Sequence, residues 1–128
     1  MTTQKEITVE YQNVKKDDRV FNEFDKGDAA FVVILGRIEV FKTINDKDVI
    51  IGTVGEGGMF GEMALIDNRR RLASARAVDG DARLMVITRD LFNQRLSNLA
   101  PFQRALIKVL SDHVRSVVDT LSTEIKAS

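Results

Sequence analysis

Between Phe60 and Ala77 the chain reads FGEMALIDNRRRLASARA, and the residue types in this stretch could together cradle an anion. Gly57, Gly58 and Gly61 let the backbone bend tightly and approach a ligand closely. Glu62-Met63-Ala64-Leu65-Ile66 are good helix formers, so a short helix is expected to begin at a glycine. The first amides of a helix have no internal partners and sit at the positive end of its dipole, an arrangement that attracts phosphate or carboxylate. Arg71 adds a full positive charge. Its guanidinium can fork onto two phosphate oxygens, with charge-assisted bonds of about 1.5–3 kcal/mol each. Glu62 would repel a phosphate at close range, and its presence makes sense if it accepts a hydrogen bond from a neighbouring hydroxyl. A sugar joined to a phosphate meets both demands.

These residues need a frame, and the rest of the chain supplies short strands. RVFNEF, AAFVVIL, RIEVFKT, DVIIGTV, LASARAV and ARLMVIT recur from Arg19 onward, punctuated by Gly36, by Asn45-Asp46 and by Asp79-Gly80-Asp81. Short strands with turns every 8–12 residues or about that imply a sandwich, a barrel or a jelly roll. Parallel α/β folds are disfavoured, because no long helix alternates with the strands. The alternation of Ile7, Val9, Tyr11 and Val14 hints at an edge strand. Helical periodicity enters late. Asp90 can cap a short helix, LFNQRLS, and Pro101 suits the start of a long one from about Phe102 to about Lys126. At 1.5 Å per residue that helix would be about 37 Å long. It carries two apolar stripes, one through Phe102, Leu106, Val109 and His113, the other through Ile107, Leu110, Val114, Val117 and Leu121. The second steps by threes and fours like a coiled-coil seam. One stripe can dock on the domain and the other on a second copy, giving a homodimer; a single wide core-facing stripe on a monomer is the alternative.

Composition narrows the function. The 128 residues, 44% hydrophobic, suit one domain spanning 1–128, with a β-roll over about 18–89 and helices over about 90–126. Nineteen basic and nineteen acidic side chains cancel, so no net field favours nucleic acid or an anionic membrane. Without cysteine there is no disulfide scaffold, thiol catalysis or cysteine-ligated metal. His113 is the single histidine and has no partner histidine for a first-row metal site or for base catalysis. No serine sits in an elbow motif. The start is polar and no stretch approaches a membrane span, so a cytoplasmic location is expected.

The string FGE-x-AL, with an arginine nine residues after the glutamate and then small and hydroxyl residues, resembles the phosphate-binding cassette of cyclic nucleotide-binding domains. The resemblance runs from about residue 18 to about residue 122. It takes in Asp18-Arg19-Val20-Phe21, the hairpin Phe31 to Val40 turned at Gly36, and the approach Val54-Gly55-Glu56-Gly57-Gly58-Met59-Phe60. It implies a β jelly roll with flanking helices, a short helix in the cassette, and a last helix acting as a lid over the bound base. Carried over by position, Gly61 and Glu62 would hold the ribose 2′-hydroxyl, the amides of Ala64 and Leu72 the phosphate oxygens, and Arg71 the cyclic phosphate. Ile51, Val54 and Met63 would line the base and sugar pocket, and Val118 or Thr120 would supply the lid contact.

The chain departs from the family pattern in places. Glu23-Phe24-Asp25 stands where Glu-Gly-Asp is usual, so either the turn tolerates a bulky residue or Lys26-Gly27-Asp28 takes over the bend. Asn68 and Arg70 replace a frequent glycine and proline, leaving that loop less preset in φ. Arg69 and Arg70 read as a solvated rim. A hydroxyl directly after the arginine is the frequent contact for a guanine amino group, and Leu72 cannot provide it; cyclic AMP is therefore expected over cyclic GMP. The expectation is a non-enzymatic sensor with no cofactor or metal, binding cyclic AMP, moving its C-terminal helix and acting on a separate effector protein. Two alternatives stay open: an interaction module with a decayed pocket, where Glu62 and Arg71 form a plain salt bridge, and a sensor fragment of a larger transcription regulator.

Overall fold

The computed structural model describes residues 9–127. Its strands are β1 (Glu10–Val14), β2 (Arg19–Phe21), β3 (Ala29–Leu35), β4 (Ile38–Ile44), β5 (Lys47–Val54), β6 (Met59–Phe60), β7 (Ser74–Ala77) and β8 (Ala82–Thr88). The helices are α1 (Met63–Asp67), α2 (Arg89–Ser97) and α3 (Pro101–Ala127). The strands form two antiparallel four-stranded sheets, ordered β1-β8-β3-β6 and β2-β7-β4-β5. Apart from the β4–β5 hairpin, consecutive strands cross between the sheets, which makes the expected jelly roll. Because β1 pairs along its whole length with β8, the roll begins before residue 18. Ile7, part of the expected edge strand, lies outside the described residues.

Turn chemistry sets much of this register. Asn45 and Asp46 both take positive φ, 53° and 62°, between β4 and β5, the two-residue turn that short polar side chains favour in hairpins. In the β4–β5 ladder Val40 faces Gly52 but Phe41 faces Ile50, so Ile51 is an extra residue that bulges out of register. The core between the sheets is built from inward residues such as Val33, Ile38 and Leu84, all fully buried, with Phe31 and Phe60 stacked at 5.3 Å. On the opposite face of β4, Phe41 is also fully buried, beneath the guanidinium groups of Arg19 and Arg76 at 5.1 and 4.1 Å. Arg76 is held there by Glu39 at 2.6 Å and Asp48 at 2.9 Å.

The helices follow the sequence in extent but not in docking. Thr88, rather than Asp90, caps α2: its hydroxyl accepts from the Leu91 amide at 3.2 Å, and Asp90 lies in the first turn. Pro101 opens α3, where a missing amide hydrogen costs nothing. Neither apolar stripe of α3 is buried as a whole, although Ile107 is half-buried and Val114 borders the cavity described below. Phe102, Leu106 and Val109 of the first are exposed, as are Leu110, Val114, Val117 and Leu121 of the second, while the buried positions are Ser111, Arg115 and Ser122. The helix turns a polar seam inward because Asp67, at the end of α1, offers Arg115 a buried partner. Among the described residues no helix is long and apolar enough to cross a membrane.

Candidate functional site

A cavity of about 300 Å³ opens between β4, β5, the β6–α1 segment and α3. Gly61, Glu62, Met63, Ala64, Arg71, Leu72, Ile51 and Val54 all line it, together with Val118 from α3. Thr120 does not: it is exposed on another side of the helix, where its hydroxyl donates to the Ser116 carbonyl at 2.9 Å. A helix turns about 100° per residue, so positions two apart cannot share a face. Ile51 sits at the bulge of β5, and with Gly52, Thr53 and Val54 it forms a continuous stretch of the cavity wall.

Arg71 is the centre of the site. It is 6% exposed, its guanidinium lies 4.0 Å from the centroid of the Phe21 ring, and two nitrogens donate to backbone carbonyls: Nη1 to Gly61 at 2.7 Å and Nη2 to Ala29 at 2.6 Å. Its Nε is buried with no hydrogen-bond partner among the described residues. No described ion pair includes it, so the salt bridge to Glu62 expected of a decayed pocket is not formed. Burial pushes the guanidinium below its ordinary pKa, and Asp28, Asp25 and Glu62 oppose that at longer range. A buried cation with an open donor and neutral carbonyl partners has the chemistry to accept an anion.

The surrounding backbone is shaped to this side chain. Gly61 has φ +78°, and a Cβ there would meet Arg71 Nη1 at 2.9 Å and Phe21 at 3.1 Å. At Gly27 a Cβ would meet Cζ and Nε of Arg71 at 2.6 Å and the Ala64 methyl at 2.7 Å. Gly27 therefore does not serve the bend. The bend is made by Phe24, which takes φ +72° and stands 70% exposed. That turn clamps the cassette backbone on both sides: the Phe24 amide donates to Arg71 O at 2.9 Å and the Arg71 amide to Asp25 O at 2.8 Å.

At the other wall, Gly61 and Glu62 lead into α1. The first amide of this turn with an internal partner is Leu65, which donates to Glu62 O at 3.0 Å, so the Ala64 amide is unpaired among the described residues. The Glu62 carboxylate is half-buried and does not cap the helix. Asn68 ends α1 in the left-handed region at φ 56°, a conformation asparagine adopts more readily than other side chains do, and so takes over the role of the absent glycine. Arg69 and Arg70 are exposed, and Arg70 Nη1 reaches the Phe24 carbonyl at 3.2 Å.

Val114, Phe21, Val40 and Thr53 also line the cavity, and sequence reasoning passed over them. Val114 had a signal, its apolar stripe, but one that pointed to a partner helix. Phe21 and Val40 read only as strand residues.

An antiparallel roll whose cavity joins a helix-leading glycine, a carboxylate and a buried arginine defines an anion-binding module. The family model for the Cyclic nucleotide-binding domain matches residues 11–98, and the chain belongs to that family. The human cGMP-dependent protein kinase 2 is 31% identical over 78% of this chain and 13% of its own length. The Cyclic AMP receptor protein of Thermus thermophilus is 30% identical over 82% of this chain and 50% of its own. Among solved structures, the cAMP-bound form of the EAL enzyme Bd1971 superposes with a TM-score of 0.81 at 34% identity, covering 92% of this chain and 32% of that one. The cGMP-bound form of the same enzyme gives 0.77 at 36% identity, covering 83% and 28%. The chain thus spans half or less of the length of each of these relatives, and in them the similar segment is one part of a larger protein.

Proposed function

We propose that this chain is a non-catalytic cyclic nucleotide sensor that prefers cyclic AMP. The observation that carries the reading is Arg71, a buried cation at the wall of a cavity of about 300 Å³, whose Nε has no hydrogen-bond partner and which forms no ion pair among the described residues. The cyclic phosphate would supply the missing anion, with the Ala64 and Leu72 amides on its other oxygens. Glu62 and Gly61 would take the ribose 2′-hydroxyl. Ile51, Val54 and Met63 would pack on sugar and base, and Val118 would meet the base from α3. No metal or cofactor enters this scheme. The preference for cyclic AMP rests on Leu72, which offers a guanine amino group no acceptor side chain.

The coupling follows from where α3 stands. Its residues Val114 and Val118 border the cavity, so a ligand that orders the cassette changes the surface against which α3 packs. Such a change shifts the helix only to the extent that ligand binds the two arrangements with different affinity. The exposed seam of α3 is suited to a second copy of the chain. Output would pass to an effector, either a separate protein or further sequence of a longer one, as the short span of the chain against its relatives suggests.

Titration calorimetry with cyclic AMP and cyclic GMP tests the reading. Binding of both, with cyclic AMP tighter, is expected. Absence of heat and of any melting shift at millimolar ligand leaves the interaction-module alternative standing in its place.

A further inference from the structure

Resting on the sensor reading above for its ligand, we infer that the buried ion pair between Asp67 and Arg115 is a latch that fastens α3 to the cassette and sets how long ligand is retained. Arg115 Nε and Nη2 fork onto both carboxylate oxygens of Asp67, the Nη2 contact measuring 3.0 Å, and the Ser111 hydroxyl lies 3.5 Å from Oδ2. The side chains are 8% and 3% exposed.

Three observations set this pair apart from an ordinary structural salt bridge. First, Asp67 ends α1, where the negative pole of a helix disfavours a carboxylate. It does not stabilise its own helix and is compensated by a cation from α3. Second, the fully buried positions of α3, Ser111, Arg115 and Ser122, are all polar, and its aliphatic residues are half-buried at most, with Val114 and Val118 at the cavity and Leu106, Val109, Leu110, Val117 and Leu121 exposed. Third, the pair joins the moving parts directly. α3 packs mainly on α1 and β4. Asp67 is fixed on its own side, with Oδ1 also accepting from the Arg69 amide at 3.0 Å. The next residue, Asn68, accepts from Arg89 at the start of α2, and Arg89 Nη2 donates to the carbonyl of Gly27, the residue against which Arg71 lies. One end of the cassette helix thus faces the proposed phosphate site and the other is gripped by an arginine from each C-terminal helix.

A bidentate ion pair is directional and, once broken, leaves a buried charge unpaired. It therefore favours two discrete arrangements of α3, docked and released, where a greasy contact would permit sliding.

The test uses the full chain with Asp67→Asn, Arg115→Gln and the double variant. Hydrogen exchange is followed in the ligand-free protein, and stopped-flow release is followed for a fluorescent cyclic AMP derivative. Each single variant is expected to lose protection across 108–122 while the strands keep theirs, and to release the derivative about tenfold faster, within the ordinary span of coupling between sites. The double variant is expected to lose no more than the worse single, since it removes the same interaction without leaving a buried charge unpaired. Unchanged protection of α3, or losses that add in the double variant, would overturn the latch. A wild-type chain that binds no cyclic nucleotide would instead overturn the sensor reading, and the exchange measurement would still decide the latch. If Asp67→Asn fails to fold, Arg115→Lys keeps the charge and removes the fork, and is expected to give a smaller change in the same direction.

Discussion

Arg71 and Arg69 are two residues apart and physically unlike. Arg71 is buried against Phe21 and Gly27, whereas Arg69 is exposed beyond the helix end. Arg71→Ala is expected to cost about 3 kcal/mol or more of cyclic AMP affinity, the scale for removing one partner of a desolvated charge pair. Arg69→Ala should cost less than about 0.5 kcal/mol, as for other exposed changes. Calorimetric titration of both variants checks this, and equal losses would show that the wrong arginine was chosen. Phe24 carries the opposite lesson. An aromatic side chain at φ +72° is strained, and its ring is 70% exposed, so packing returns little for the strain. Phe24→Gly is expected to raise stability by about 1 kcal/mol, seen as a higher urea midpoint. The spacing of the four residues Gly61, Glu62, Ala64 and Arg71 was readable because each residue type has a distinct chemical use. Gly27 was not, because its purpose is to leave room for a side chain 44 positions away.

At the scale of elements, the strands and turns followed local rules, and the helices followed them only in extent. The ladder of β4 with β5 and β7 is tied by Arg76 to Glu39 and Asp48. Hydrogen bonds from Arg76 and then Thr43 hold the Asp48 carboxyl below its ordinary value of 3.8. A carboxyl with a lower pKa folded than unfolded contributes stability above its unfolded value and loses it as pH falls through the folded one. Arg76→Gln is therefore expected to flatten the acid limb of stability below about pH 4, measured as urea midpoints against pH. An equally steep limb in the variant would assign acid sensitivity to other groups. The α3 helix had a clear start signal in Pro101, yet the face it docks was misjudged. Apolar spacing implies a buried stripe only when an apolar surface waits for it, and here the waiting group was Asp67.

For the whole molecule, the outcome of that docking is an exposed seam through Leu110, Val114, Val117 and Leu121, which leaves a second copy as its proposed cover. Sedimentation velocity should show a concentration-dependent dimer, and Leu110→Glu with Val117→Glu should leave a monomer that still binds ligand. A wild-type monomer at all concentrations would remove the dimer from the proposal. The sequence by itself determined the roll, since period-two strands and glycine or Asx turns are local matters, and it determined which residues could cradle a sugar phosphate. The tertiary structure alone decided that Arg71 forms no ion pair among the described residues, that Gly27 packs against it, that Val114 lines the cavity and Thr120 does not, and that α3 docks through Arg115. Each of these depends on which distant atoms meet in space, and residue spacing along the chain carries no record of that.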